Sequence, residues 1–187
     1  MNSLSAGHRW AMALGLALLL ALPWGLAQPA TGVTPGLLAT DFQLSVVSPP
    51  DHPPFQLSAA QGDVVVLVFW FFNCLPCRAE APFFSAALER YGAQGLQVVG
   101  VNRGDSETQI RAFAGLFNAR YPLLADPGNV VNDRYLVVGF PTTIFIGRDG
   151  VIAERVVGLE SADGAEFARR LAERLEALLS QATPEAG

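Results

Sequence analysis

Lysine is missing altogether: all twelve basic residues of the 187 are arginines, and seventeen acids leave a formal net charge of -5. A nucleic-acid surface needs clustered positive charge, and no basic run supplies it, so nucleic acid is excluded as a partner. Histidine is almost as scarce, with only His8 and His52, and cysteine stops at two, Cys74 and Cys77. A closed zinc site takes four ligands, and neither a second cysteine pair nor enough histidines exist to provide them. No internal repeat or low-complexity block appears, and at 51% hydrophobic residues the chain has material for one sizeable core rather than two.

The longest apolar run sits at the start. His8 and Arg9 precede an uninterrupted stretch from Trp10 to Leu22, followed by Pro23 and the small-x-small sequence Gly25-Leu26-Ala27. Residues 1–27 therefore read as a secretory signal peptide, with an uncleaved N-terminal membrane anchor as the alternative, since Trp10 to Ala27 is near the lower limit of about 17 residues for a spanning helix. No cysteine follows the run, which excludes a lipid-anchored cysteine. Either reading makes the chain exported, in a periplasmic or other extracytoplasmic space where disulfides persist. Residues 28–36 are expected to be a flexible linker, 37–182 one domain, and 183–187 a disordered tail.

Cys74 and Cys77 form Cys-Leu-Pro-Cys directly after the apolar run Val64 to Phe72. A structural disulfide closing so short a loop removes little unfolded-chain entropy, far less than the roughly 3 kcal/mol of a 15-residue loop. Redox chemistry accounts for the pair better, with the structural and metal readings left as alternatives.

The element pattern supports a helix start at that point. Phe42 to Leu44 and Phe55 to Leu57 alternate as a short hairpin would, and Val64 to Phe72 reads as a strand buried on both faces. Asn73 is expected to cap a helix from Cys74 to Tyr91, with Pro76 in its first turn and Pro82 kinking it. Strands at 96–101, 121–124, 142–146 and 151–157 alternate with helices at 108–117, 129–135 and 163–181. The last opens on a capping box of Asp163 and Glu166. This order predicts an α/β domain with a central mixed sheet flanked by helices.

Within that frame the chemistry can be assigned. Thiolate is the attacking species, and a helix N-terminus favours the anion, so Cys74 is the expected nucleophile. Cys77, one turn along and expected to be less exposed, is the resolving cysteine, while Leu75 and Pro76 face a substrate and add no charge. Glu80 lies one turn beyond Cys77 and is either a proton shuttle for it or an ordinary solvated glutamate. Pro141 reads as a strand-entry proline or a cis-proline. If it is cis, the Phe140 backbone is placed to pair with an extended substrate.

Several segments together resemble a known family: Val68-Phe69-Trp70, Cys74 to Pro82, Tyr121 to Pro127, Tyr135, Gly139 to Ile146 and Arg148-Asp149-Gly150. They are similar to the TlpA/ResA-like redoxin branch of the thioredoxin superfamily, over nearly all of the chain after Leu37. The resemblance implies a thioredoxin-like fold with an N-terminal hairpin and a central insertion at about 105–135. It also implies a cis-Pro141 beside the dithiol, an acid at Glu80, and no cofactor beyond the redox-active disulfide Cys74-Cys77. The implied partners are exported protein thiols and disulfides, apocytochrome c among them, and a membrane electron donor of the DsbD/CcdA type. Two departures stand out: Val68 occupies the place of the buried thioredoxin acid, and Asn73 the place of a tryptophan.

The alternatives share parts of this pattern. A thiol peroxidase needs a Thr and Pro arrangement before its cysteine, which Phe69 to Asn73 lacks. A copper-delivering metallochaperone needs wider cysteine spacing and a downstream histidine, and none follows His52. An oxidant that introduces disulfides uses the same residues at a different potential. The expected activity is that of a protein-disulfide reductase.

Overall fold

The computed structural model describes residues 30–182. The expected signal or anchor at 1–27 and the tail at 183–187 lie outside them. Val64–Trp70 (β6) is buried along its whole length, and its alternation sorts the core into two halves. Val64, Val66, Val68 and Trp70 face one helical layer, while Val65, Leu67 and Phe69 face the other side, as a period of two requires.

Around β6 the main sheet has the order β10-β9-β6-β7-β8-β4. Leu96–Arg103 (β7) runs parallel to β6, and Leu123–Asp126 (β8) parallel to β7. Thr142–Ile146 (β9) is antiparallel to β6, Ile152–Val157 (β10) antiparallel to β9, and Val46–Ser48 (β4) antiparallel to β8 at the far edge. Leu75–Tyr91 (α1), Glu107–Leu116 (α2) and Gly164–Leu179 (α4) fill one face through Ala81, Phe84, Ile110, Phe113, Phe167, Leu171 and Leu175. The other face takes Val131 of the short helix Val130–Arg134 (α3), with Tyr135 and the N-terminal residues Phe42 and Leu57.

The expected hairpin is present as Gln43–Leu44 (β3) against Phe55–Gln56 (β5). Three details differ from expectation. First, β4 leaves the hairpin and joins the main sheet, a long-range pairing with no local signal. Second, the stretch expected to be a linker is held from residue 30: Thr31–Gly32 (β1) pairs in parallel with Leu38–Ala39 (β2), and the Gly36 amide donates to Ile152 O at 2.8 Å. Third, β8 begins at Leu123 rather than Tyr121, because Pro122 has no N–H to donate.

Pro82 is accommodated inside α1, which runs uninterrupted from Leu75 to Tyr91. Asp163 caps α4 by accepting from the Ala165 and Glu166 amides, but Glu166 does not complete a capping box, pairing with Arg169 and Arg170 instead. Gly100, in the middle of β7, is required by close approach: a Cβ there would stand 2.7 Å from Leu123 and 2.9 Å from the Trp70 indole nitrogen. Among the described residues no helix is long and apolar enough to cross a membrane.

Candidate active site

β6 ends at Trp70, and four residues, Phe71 to Cys74, separate it from the start of α1 at Leu75. The Cys74 amide donates to Phe71 O at 3.1 Å to close that turn. Cys74, not Asn73, is the N-cap: its Sγ accepts the Cys77 amide at 3.2 Å, in the place an Asp or Ser oxygen usually takes. The expectation for Asn73 fails because the helix begins one residue too late for it. Its Oδ1 instead accepts from Arg78 at 2.9 Å.

Cys74 and Cys77 are joined as a disulfide with Cα atoms 5.2 Å apart. Both are 3% exposed, so the expectation from sequence that Cys77 would be the less exposed of the two is not met. What separates them is position. Cys74 sits at the helix terminus, where a thiolate would meet the Cys77 N–H and the positive end of the helix dipole. Cys77 lies inside the first turn. Leu75 between them is 72% exposed.

The turn before Cys74 is fixed by residues that sequence reasoning passed over. Asp105, after β7, accepts the Phe72 amide at 2.5 Å and the Asn102 side chain at 2.7 Å. Arg78 donates to Phe72 O at 2.8 Å and lays its guanidinium over the rings of Phe72 and Phe117. The Asp105–Phe72 and Arg78–Phe117 contacts join residues far apart in the chain, and only the cation beside the second cysteine hinted at them.

Glu80, which sequence left open between a shuttle and a solvated glutamate, is 3% exposed and therefore not solvated. Among the described residues no donor hydrogen-bonds its carboxyl. Burial, reinforced by the negative charge of Glu160, pushes its pKa up to about 8. Both acids line a cleft of about 10 Å³ with Thr143, Phe84 and Arg174, a space that fits about one water. Glu160 itself is held by Arg174 at 2.6 Å, and those hydrogen bonds keep its carboxyl below the ordinary range.

The Phe140–Pro141 peptide is cis. Phe140 stacks edge-on against Phe71 with ring centroids 5.3 Å apart, which brings the loop before β9 against the turn before Cys74. Pro141 O accepts from the Gly158 amide at 2.7 Å, tying that loop to the end of β10. Val138, in the same loop, is 89% exposed. No cluster of three or more potential metal ligands occurs among the described residues.

A thioredoxin-like sheet that delivers a vicinal cysteine pair to a helix N-terminus defines the thiol-disulfide oxidoreductases, and solved structures of that class overlie this chain. A putative thiol:disulfide interchange protein DsbE from Chlorobium tepidum superposes with a TM-score of 0.70 at 30% identity, covering 80% of this chain and 100% of that one. A secreted Mycobacterium tuberculosis disulfide oxidoreductase homologous to E. coli DsbE gives 0.63 at 27% identity, covering 73% and 96%. Among curated proteins, the thiol-disulfide oxidoreductase ResA of Oceanobacillus iheyensis is 32% identical over 151 residues, 80% of this chain and 73% of that protein. The thioredoxin-like protein YneN of Bacillus subtilis is 36% identical over 142 residues, 72% of this chain and 81% of that protein. The chain belongs to the AhpC/TSA family, whose model matches residues 35–155, and within it is a thiol-disulfide oxidoreductase of the ResA/DsbE type acting on protein thiols and disulfides.

Proposed function

We propose that this enzyme is an exported reductant: it reduces disulfides of other exported proteins, apocytochrome c among them, and is itself re-reduced by a membrane electron donor of the DsbD/CcdA type. Residues 1–27 act as the export signal or anchor. The observation that carries the chemistry is the disulfide at the start of α1 with a buried acid, its carboxyl pushed up to about 8 by burial, one helical turn from Cys77.

Re-reduction begins when a donor thiolate attacks Cys74 Sγ. The Cys74–Cys77 bond breaks, a mixed disulfide forms on Cys74, and Cys77 leaves as a thiolate that takes the proton of Glu80. A second donor thiolate then releases Cys74. In the substrate half-reaction the Cys74 thiolate attacks a partner disulfide and expels one partner thiolate. Glu80, now a carboxylate, removes the Cys77 proton so that Cys77 can attack Cys74 and free the second. A carboxyl near 8 lies close to the ordinary thiol value of about 8.5, so the proton can pass in either direction. Leu75, Pro76 and the Phe140 segment form the apolar rim that the partner meets.

The reduction potential of the Cys74/Cys77 couple tests the direction. A value near about -270 mV supports the reductant, and one near about -120 mV would make the enzyme an oxidant that introduces disulfides. The proton route has a separate test: Glu80→Gln should abolish the inflection near 8 in the pH profile of exchange, and an unchanged profile removes Glu80 from the mechanism.

A further inference from the structure

Four elements meet at the cleft that Glu80 lines, one helical turn along α1 from Cys77. Glu80 comes from α1, Thr143 from β9, Glu160 from the loop between β10 and α4, and Arg174 from α4. The charges are not shared evenly. Glu160 takes two hydrogen bonds from Arg174, both at 2.6 Å, and stands 3.5 Å from Arg170. Arg174 also holds Glu154 at 2.7 Å and lies over the Phe145 ring. Its position is thus fixed from three sides. Glu80 receives none of these donors. The other titratable group beside it is the fully buried Tyr121 phenol, itself pushed upward by burial and by the Glu80 charge.

Two carboxyls lining one small cleft do not ionise independently, and the one with arginine partners keeps the charge. We propose that Glu160, clamped by Arg174 and Arg170, is a positioning residue for the dithiol reaction: its fixed negative charge adds to burial in keeping the proton on Glu80 until the Cys74–Cys77 bond opens. The loop after β10 thereby acts on Cys77 through Glu80 without touching either sulfur. This role rests on the proton route above.

The test titrates Glu80 itself, in the oxidised full chain, by carbon-13 NMR of labelled glutamate carboxyls, with the Glu80 resonance assigned by its loss in Glu80→Gln. The wild-type midpoint should fall near 8. Glu160→Gln removes a negative charge facing Glu80 and should lower the midpoint by about one unit, whereas Arg174→Gln leaves Glu160 under-neutralised and should raise it by about one unit. Opposite directions are the signature, because a cleft that merely loosened and admitted water would lower the midpoint in both variants. Movement in the same direction in both, or no movement in Glu160→Gln, overturns the proposal. If Glu160→Gln does not fold, Arg174→Gln decides by its sign; if Arg174→Gln does not fold, Arg170→Gln, which removes the other guanidinium beside Glu160, takes its place with the same expected rise. The titration does not require Glu80 to be a shuttle, so an unchanged exchange profile in Glu80→Gln would defeat the proton route while leaving this measurement intact.

Discussion

The two cysteines of the disulfide are equally buried, yet they face different chemistry. Around Cys74 the chain offers backbone N–H groups, the exposed Leu75, and an aromatic rim of Phe71, Phe72 and Phe140. One helical turn beyond Cys77 along α1 it offers Glu80, which shares a cleft with the arginine-clamped Glu160. One side suits a partner and an anion, the other suits a proton. Under the proposed mechanism accessibility does not decide which cysteine attacks; position along the first turn of α1 does.

Replacing the sulfurs one at a time should break this division most severely. Cys74→Ser should abolish disulfide exchange altogether, while Cys77→Ser should still attack and then stall as a covalent partner adduct visible on a non-reducing gel. Adducts of similar yield on both variants would erase the asymmetry.

The charged side should also be visible in stability. Burial pushes the Glu80 carboxyl up to about 8 from an ordinary 4.5, so between those values the folded chain binds a proton that the unfolded chain has released. That contribution is complete below about pH 4.5 and is lost as pH rises through 8, a fall of a few kcal/mol or on the order of 10 °C in melting temperature. Thermal melts from pH 5 to 8 should show this slope in the wild type and a flatter one in Glu80→Gln. Equal slopes would mean that Glu80 is not buried as a neutral acid.

The anion side should give the smallest effect. Arg78→Ala loses the hydrogen bonds to Phe72 O and Asn73 and the stacking on Phe72 and Phe117, at a cost of about 1 kcal/mol in denaturant unfolding. Its larger consequence should be slower attack by Cys74, since the turn before the helix loses a support. A loss confined to stability would show that Asp105 holds the turn alone.

Legibility in the sequence followed the range of the interactions. The apolar run of β6, the helix after it and the strand from Thr142 to Ile146 are local patterns and were readable, whereas the cis peptide at Phe140–Pro141 was expected only through the family resemblance. The cap was misplaced by one residue because a cysteine sulfur, rarely credited as a capping acceptor, did the work of Asn73. Asp105 reaches Phe72 across 33 positions, and Glu160 and Arg174 reach the cleft of Glu80 from the far end of the chain. No spacing rule announces such contacts. Glu80 itself illustrates the limit: its place one turn from Cys77 was visible, but its burial depends on α4 folding over it.

The division of labour between the sulfurs is tested most directly by alkylating the reduced protein with iodoacetamide across pH and locating the label by mass spectrometry. The account predicts that Cys74 is labelled first, at pH values below the ordinary thiol range of about 8.5, with Cys77 resistant over the same window. Label appearing first on Cys77, or on both cysteines together near 8.5, would contradict it.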